Sequence, residues 1–346
     1  MITAPGLAVN VFHADRVPTG RRCRRSTDDE ATLLRHQRAV PAELPVSTAF
    51  VLSGGGSLGA VQVGMLQALG ERGITPDLLV GTSVGAVNAA WVAAHGMGER
   101  SLADLAMLWA GLRRSDVFPV SVGRALLAMT GRRSALCSDS HLRGLVDAHL
   151  VIRDFREAAV PLHLVATDLL SGEEVLVSEG SVIDAVLASA AIPGIFPPVT
   201  IDGRHLVDGG VAHHTAVGQA VELGASEIYV LPAGYPCALA CPPESALGVA
   251  VHALSLLIEQ RLIAEVARYG GAATVKVLPP LCPLRISAAD FSHGAELVGR
   301  GHRASARWLD EGGVDLPQPE RFLSLHRHRT PPVGWPSAAT VLRRAP

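Results

Sequence analysis

The sequence predicts an α/β fold in which a central, mostly parallel sheet is flanked by helices. Two observations carry this prediction. Short apolar runs alternate with segments of helical periodicity from residue 49 onwards, and the first connections between them are short. Parallel strands need crossover helices of this kind and are buried on both faces. Apolar residues make up 48% of the 346 residues, which is enough for a sizeable core.

The alternation begins with a strand, a helix, a strand and a helix. These elements are predicted at residues 49–53, 58–71, 78–82 and 84–95. In the first helix, apolar side chains recur at helical spacing at Leu58, Val61, Met65 and Leu69. The pattern therefore indicates two parallel strands joined by a crossover helix.

The remaining elements complete one domain. Further strands are predicted at 162–167, 175–178, 206–207, 227–231 and 274–278, and further helices at 181–190, 244–269 and 295–309. We expect an α/β domain at 46–312, a flexible arginine-rich leader at 1–45 and a proline- and arginine-rich tail at 313–346.

Composition excludes several functions. A net charge of −2 argues against a nucleic-acid partner. The most apolar stretch, 246–258, is shorter than the roughly 20 residues that a membrane span needs. Five scattered cysteines predict free thiols in a reducing compartment, hence a cytoplasmic protein. Cys237 and Cys241 form a C-x3-C pair without a second ligand pair nearby, so no metal site is expected.

A glycine-rich loop follows the first strand. Gly54, Gly56 and Gly59 satisfy the G-x-G-x-x-G pattern of dinucleotide sites. That site also needs an acid at the end of the next strand, about 20 residues on. Asp77 lies near that distance but precedes the strand, and no Gly-Lys-Ser/Thr follows the loop. A nucleotide site is therefore the weaker interpretation of the loop.

A G-x-S-x-G motif stands where the second strand passes into the second helix. It consists of Gly81, Thr82, Ser83, Val84 and Gly85. A sharp strand-to-helix turn exposes the serine hydroxyl, and small neighbours relieve the crowding there. The simpler alternative is a serine that caps the helix. We interpret Ser83 as a nucleophile and Gly81 and Gly85 as its elbow.

An attacking serine needs hydrogen-bond donors for an oxyanion, and a base. Gly54, Gly55 and Gly56 end the neighbouring strand, so their N–H groups can reach the space above Ser83. Asp208 follows the short apolar run at 206–207 and precedes two glycines, so it can approach a serine hydroxyl directly. Burial beside the serine is expected to raise its pKa.

With these residues the chain resembles the patatin-like phospholipase family. The resemblance rests on SGGGSLGAVQVGML at 53–66, GTSVGAVNAA at 81–90 and DGG at 208–210, with support from ATDLLSGE at 166–173 and ASAAIPGIFPPV at 188–199. It implies a three-layer patatin-like fold, a dyad of Ser83 and Asp208, and an oxyanion hole at Gly54–Gly56. It also implies a phospholipid, lysophospholipid or other acyl-ester substrate, and neither cofactor nor metal. Asp168 would hold loop backbone and take no part in catalysis.

Two departures from the family pattern leave an alternative open. Leu58 stands where the family commonly carries Arg or Lys, and His213 and His214 follow the DGG where it often has Asn and Pro. These changes permit a catalytically weak regulatory or lipid-binding protein with the same fold. One of the two histidines is also a candidate proton shuttle, against a simple packing role. Peripheral contact of the cytoplasmic protein with a membrane is open as well.

Overall fold

The described part of the chain contains eight strands and nine α-helices. The computed structural model describes residues 48–119, 123, 127–128, 130, 132–211, 216–315, 323–326 and 328. Strands β1 to β8 are Thr48–Leu52, Leu78–Thr82, Leu162–Asp168, Glu174–Val177, Val199–Ile201, Arg204–Asp208, Glu227–Leu231 and Thr274–Val277. Helices α1 to α9 are Gly59–Gly70, Val84–His95, Glu99–Gly111, Arg114–Val117, Ser140–His149, Val182–Ser189, Ala216–Glu222, Ala246–Tyr269 and Gly294–Asp310.

The strands form one mixed sheet in the order β5-β6-β3-β2-β1-β7-β8, with β4 also paired to β3. The core pairs β3–β2, β2–β1, β1–β7 and β7–β8 are parallel, whereas β4, β5 and β6 pair antiparallel. The predicted central, mostly parallel sheet is confirmed, and the predicted segment at 175–178 does pair with β3.

Both faces of the sheet are covered, which makes the architecture three-layered. Along β1, Phe50 and Leu52 belong to the larger apolar cluster, together with side chains of α1, α2 and α9. Ala49 and Val51 point the other way, into a second cluster with α7 and the end of α8. Successive side chains of a strand face opposite sides, so a strand buried on both sides must be apolar throughout.

Two strands share one edge of β3 and meet end to end. β4 pairs with residues 164–167 on one edge of β3, so both β2 and β6 must lie on the other edge. There Thr82 is opposite Val165, and Asp208 is opposite the next residue, Ala166. The antiparallel β6 therefore brings its last residue to the end of β2, where the chain turns into α2.

Helix α8, predicted at 244–269, continues past the apolar stretch of 246–258 to Tyr269. It has 24 residues and, among the helices the structure describes, is the one long and apolar enough to cross a membrane. Leu262 and Val266 pack in the second cluster, and Glu259 and Glu265 are buried on the same helix. The core helix of a globular protein can have the same length and hydropathy, so the length and hydropathy of α8 are weak evidence for a membrane span.

The ends of the chain lie largely outside the described residues. The predicted leader at 1–45 does so entirely, as do His213 and His214. Part of the predicted tail is described and packs against the domain. Leu323 is buried, and the hydroxyl of Tyr235 lies 3.1 and 2.9 Å from the carbonyl oxygens of Ser324 and His326, so it can donate to one of them.

Candidate active site

Ser83 sits in a strained turn between β2 and α2. Its φ of 54° and ψ of −121° are uncommon for a residue with a side chain. The flanking glycines permit this turn. A Cβ on Gly85 would lie 2.1 Å from the carbonyl oxygen of Leu52, and one on Gly81 would lie 2.7 Å from Ala86. The motif thus has the elbow geometry that presents a serine hydroxyl to a site.

The Ser83 hydroxyl donates a hydrogen bond to Asp208. The distance from Oγ to Oδ2 is 2.7 Å, and Asp208 has no exposed surface. Its other oxygen, Oδ1, accepts from the N–H of Gly210 at 2.8 Å. The two residues are 125 positions apart in sequence, and the end-to-end arrangement of β2 and β6 joins them.

Burial raises the pKa of Asp208 to about 6, against the lowering effect of the hydrogen bonds from Ser83 and Gly210. The direction is the one expected from the sequence. An ordinary aspartate is a weak base for a serine hydroxyl, whereas a carboxylate with a pKa near the working pH is a better one. The site therefore holds a hydroxyl and a base of suitable strength in direct contact.

Ser189 fixes the backbone of the elbow. Its hydroxyl accepts a hydrogen bond from the N–H of Ser83 at 2.9 Å and donates one to the carbonyl of Val165 at 2.6 Å. Ser189 lies at the end of α6 and has no exposed surface. It connects the elbow to β3 without touching the hydroxyl of Ser83.

The glycine loop lies against the elbow. A Cβ on Gly54 would be 3.1 Å from the Cβ of Ser83 and 2.6 Å from Ile258. The amides of Ser57 and Leu58 donate to the carbonyl oxygens of Ala288 and Gly55. Within the described residues, no backbone carbonyl accepts from the amides of Gly54 and Gly55. These two amides remain available to a ligand.

Close packing behind the loop explains why glycines occupy it. A Cβ on Gly55 would stand 2.5 Å from the Cβ of Ala233, and one on Gly56, whose φ is +58°, would stand 2.4 Å from the carbonyl oxygen of Ala288. Ser53 adds a hydrogen bond, since its hydroxyl accepts from the N–H of Ala233 at 2.9 Å. The segments around 233 and 288 thus support the loop from behind.

A buried amide network ties the loop to three helices. Gln62 of α1 donates to the carbonyls of Ser53 and Leu231, at 2.8 and 2.9 Å. Its oxygen accepts from Asn88 of α2 at 2.8 Å, and Asn88 in turn accepts from the indole N–H of Trp109 on α3 at 3.0 Å. Fully satisfied buried networks hold their elements in one arrangement.

An apolar pocket opens beside Ser83. Gly56 and Ser83 are part of its lining, and the other lining residues are aliphatic and aromatic. Phe118 stacks on Phe196 with 5.4 Å between ring centroids, and Trp109 and Phe291 are also part of the wall. A pocket of this composition suits a hydrocarbon chain.

Three other residues can now be placed. Leu58 has no exposed surface and belongs to the core, so the family's charged position is here an apolar one. Asp77 accepts from the N–H of Thr48, at the end of the sheet opposite the glycine loop, which removes it from any nucleotide site there. Asp168 accepts from the amides of Leu170 and Ser171, the loop-holding contact expected of it.

Sequence reasoning did not single out Ser189, Gln62 or Asn88. Gln62 could have been recognised from the sequence, because it lies four residues after Leu58, at a position of α1 where the helical spacing predicts an apolar side chain. A polar residue at a core position must find partners inside the protein. Ser189 and Asn88 stand among small residues and carry no comparable signal.

Comparison with known proteins adds a family match. The family model "Patatin-like phospholipase" matches residues 50–221. Patatin-like phospholipase domain-containing protein 7 of Rattus norvegicus is 29% identical over 191 residues, which cover 54% of this chain and 13% of that protein. An uncharacterized NTE family protein of Mycobacterium bovis is 31% identical over 169 residues, covering 47% and 42% respectively. The matched region is thus less than half of either relative.

Solved structures with similar folds are more distant in sequence. VipD from Legionella pneumophila has a TM-score of 0.36 at 15% identity and covers 76% of this chain, with 67% of VipD aligned. Human GIVD cytosolic phospholipase A2 has a TM-score of 0.36 at 11% identity, covering 81% and 60%.

Proposed function

Residues 50–221 of this chain belong to the patatin-like phospholipase family, and from that premise we propose that the protein hydrolyses lipid acyl esters with a dyad of Ser83 and Asp208. One observation carries the proposal: the hydroxyl of Ser83 donates to a fully buried carboxylate at 2.7 Å. A serine at a strained elbow beside a base of raised pKa is the arrangement of an activated nucleophile.

The proposed reaction has two halves. Ser83 Oγ attacks the carbonyl carbon of the ester while its proton passes to Asp208 Oδ2. The tetrahedral intermediate collapses, the alcohol leaves with the proton held by Asp208, and the acyl group remains on Ser83. Water then attacks the acyl-serine while Asp208 accepts its proton. The second tetrahedral intermediate collapses, Asp208 returns the proton to Ser83 Oγ, and the fatty acid leaves.

The glycine loop is proposed to stabilise the oxyanion of both intermediates. Gly54 packs against Ser83, Gly56 and Ser83 line the same pocket, and the amides of Gly54 and Gly55 have no backbone acceptor in the described chain. Loss of one oxyanion donor typically costs roughly 3–4 kcal/mol of transition-state stabilisation. Fixed packing behind the loop keeps these donors in place, so little reorganisation is needed during the reaction.

The apolar pocket supports a lipid substrate. Phospholipids, lysophospholipids and simpler acyl esters share an acyl chain next to the reacting carbonyl, and the pocket that Ser83 lines has aromatic side chains in its wall. We propose that it binds this chain, with the ester carbonyl at the glycine loop. Peripheral contact with a membrane would deliver such substrates.

Hydrolysis assays test the proposal. The native chain should release p-nitrophenol from medium-chain esters and fatty acid from phospholipid or lysophospholipid. Ser83→Ala should abolish both activities, and Asp208→Asn should lower kcat roughly 10²–10⁴-fold. If the native chain binds lipid but hydrolyses none of these esters, the lipid-binding alternative is correct.

A further inference from the structure

Four potential metal ligands converge outside the dyad. The side chains of Cys237, Cys282, His326 and His328 each offer one ligand atom, and all four atoms lie within 4.8 Å of one another. We propose that they form a structural zinc site. This proposal does not depend on the hydrolase function, and it replaces the expectation that the chain has no metal site.

The distances fit a shared cation. Cys282 Sγ lies 3.1 Å from Nε2 of His326 and 2.9 Å from Nε2 of His328. A thiol has one proton and can donate it to only one of these nitrogens. Tetrahedral zinc, with Zn–S near 2.3 Å and Zn–N near 2.0–2.1 Å, separates its ligand atoms by roughly 3.3–3.8 Å. The cluster needs only small side-chain shifts to reach that geometry.

The tautomer of His326 is already the one that binds metal. Its Nδ1 lies 2.7 Å from the carbonyl oxygen of Ser324, which can only accept, so Nδ1 carries the proton. The lone pair of the neutral ring is then on Nε2, which faces Cys282. Metal-bound histidines usually donate their second nitrogen to a carbonyl or carboxylate in this way.

Backbone contacts hold the histidine-bearing segment over the cysteines. The N–H of His328 donates to the carbonyl of Cys237 at 3.1 Å, and the N–H of His326 donates to the hydroxyl of Tyr235 at 2.5 Å. The amide of Leu284 donates to the sulfur of Cys237 at 3.4 Å. The ligands are therefore positioned by the fold.

The ligand set favours zinc. Two thiolates and two imidazoles around one centre make the Cys₂His₂ set of structural zinc sites, whereas magnesium and calcium prefer oxygen ligands. Two thiolates also balance the charge of Zn²⁺. Cys237 is buried while Cys282 and His326 are exposed, so an ion has a path into the site.

A zinc ion at this site would stabilise the segments around residues 233 and 288, which pack behind the glycine loop. Cys237 lies four residues after Ala233, which packs against Gly55 and hydrogen-bonds Ser53. Cys282 lies six residues before Ala288, whose carbonyl accepts from the N–H of Ser57 at 2.8 Å. A zinc ion would join both supporting segments to the end of the described chain.

Metal analysis of the purified full chain tests the proposal. We expect about one zinc per chain by mass spectrometry, in keeping with a four-ligand structural site. Exchange for Co²⁺ should give the strong visible bands of tetrahedral cobalt and a thiolate charge-transfer band. Cys282→Ser should lose both the zinc and these bands, and chelation should lower the midpoint of thermal unfolding of the native chain.

Two variants separate metal binding from general damage. Cys241→Ser changes an exposed cysteine outside the cluster and should keep the zinc. His328→Cys supplies a fourth ligand of another type and should keep zinc too, with a stronger charge-transfer band, because Cys₃His sets also bind it. Absence of stoichiometric metal, a Cys237–Cys282 disulfide in the native chain, or equal loss in Cys241→Ser would overturn the proposal.

Discussion

At the scale of single residues, position in the fold determines the chemistry of two ordinary aspartates. Asp168, the last residue of β3, accepts from the backbone amides of Leu170 and Ser171 in the exposed loop that follows, and those hydrogen bonds lower its pKa. Asp208 is fully buried, and burial raises its pKa to about 6 although it too accepts hydrogen bonds. Only the second is suited to take a proton from Ser83.

Ser189 gives a prediction at this scale. Ser189→Ala leaves the N–H of Ser83 without its acceptor, which should cost roughly 1–3 kcal/mol of stability. The elbow should also shift, and because small misplacements of a nucleophile are costly, kcat should fall about 10- to 100-fold with KM little changed. Steady-state kinetics and urea unfolding measure the two effects.

Ser255→Ala is the matched control. Ser255 is also buried, but its hydroxyl donates to the carbonyl of Val251 within α8 and touches no part of the elbow. It should leave kcat unchanged. Equal kcat in Ser189→Ala and the native chain would show that Ser189 does not position Ser83.

At the scale of elements, the glycine loop depends on how strand ends are held. Strands β1 and β7 end at Leu52 and Leu231, and Gln62 bonds the carbonyls of Ser53 and Leu231. Helix α1 thus fastens two strand ends at the point where the loop leaves the sheet.

Gln62→Leu should therefore loosen the loop. The buried carbonyl of Ser53 and one hydrogen of Asn88 lose their partner, and the carbonyl of Leu231 keeps only the 3.3 Å bond from the N–H of Ser53. A loss of about 2 kcal/mol or more of unfolding free energy is expected, because each unpaired buried group costs roughly 1–3 kcal/mol. The kcat for ester hydrolysis should fall as well. Gln67→Leu on the same helix, where only a 3.5 Å contact to Leu102 is lost, should have little effect on either. Similar losses in both variants would contradict this role.

Local patterns predicted most elements but not the pairing that builds the site. Apolar runs and helical spacing were enough for β1, α1, β2 and α2, because these elements follow one another in the chain. That β6 lies on the same edge of β3 as β2 depends on contacts between distant segments, which no local pattern records. The approach of Asp208 to Ser83 was inferred from the glycines around it and from family resemblance.

At the scale of the whole molecule, the raised pKa of Asp208 reduces stability at neutral pH. Between about pH 4 and pH 6 the native state keeps a proton that the unfolded state has released, so stability falls as pH rises through this window. Two pKa units correspond to about 3 kcal/mol.

Asp208→Asn should therefore unfold at higher denaturant concentration than the native chain at pH 7.5, while it loses activity. Its amide can still donate to Ser83 and accept from Gly210, so the contacts survive. The difference in unfolding free energy between the variant and the native chain should decrease as the pH falls toward 4, because Asp208 of the native chain is then protonated. Urea unfolding at several pH values measures it, and a variant no more stable at pH 7.5 would contradict the burial argument.

The cysteine and histidine cluster likewise emerges only from the whole fold. Cys237, Cys282 and the two histidines span 92 residues, with no short motif to connect them. Sequence spacing drew attention to Cys241, which is not part of the cluster. Only the packing of residues 323–326 and 328 against the domain brings the four side chains together.

The central claim is that buried Asp208 activates Ser83, and the pH dependence of covalent labelling tests it most directly. A fluorophosphonate should modify Ser83, identified by peptide mass spectrometry, with a rate that is half-maximal near pH 6 and much slower in Asp208→Asn. Labelling of another residue, a midpoint near pH 4, or an unchanged rate in Asp208→Asn would contradict it.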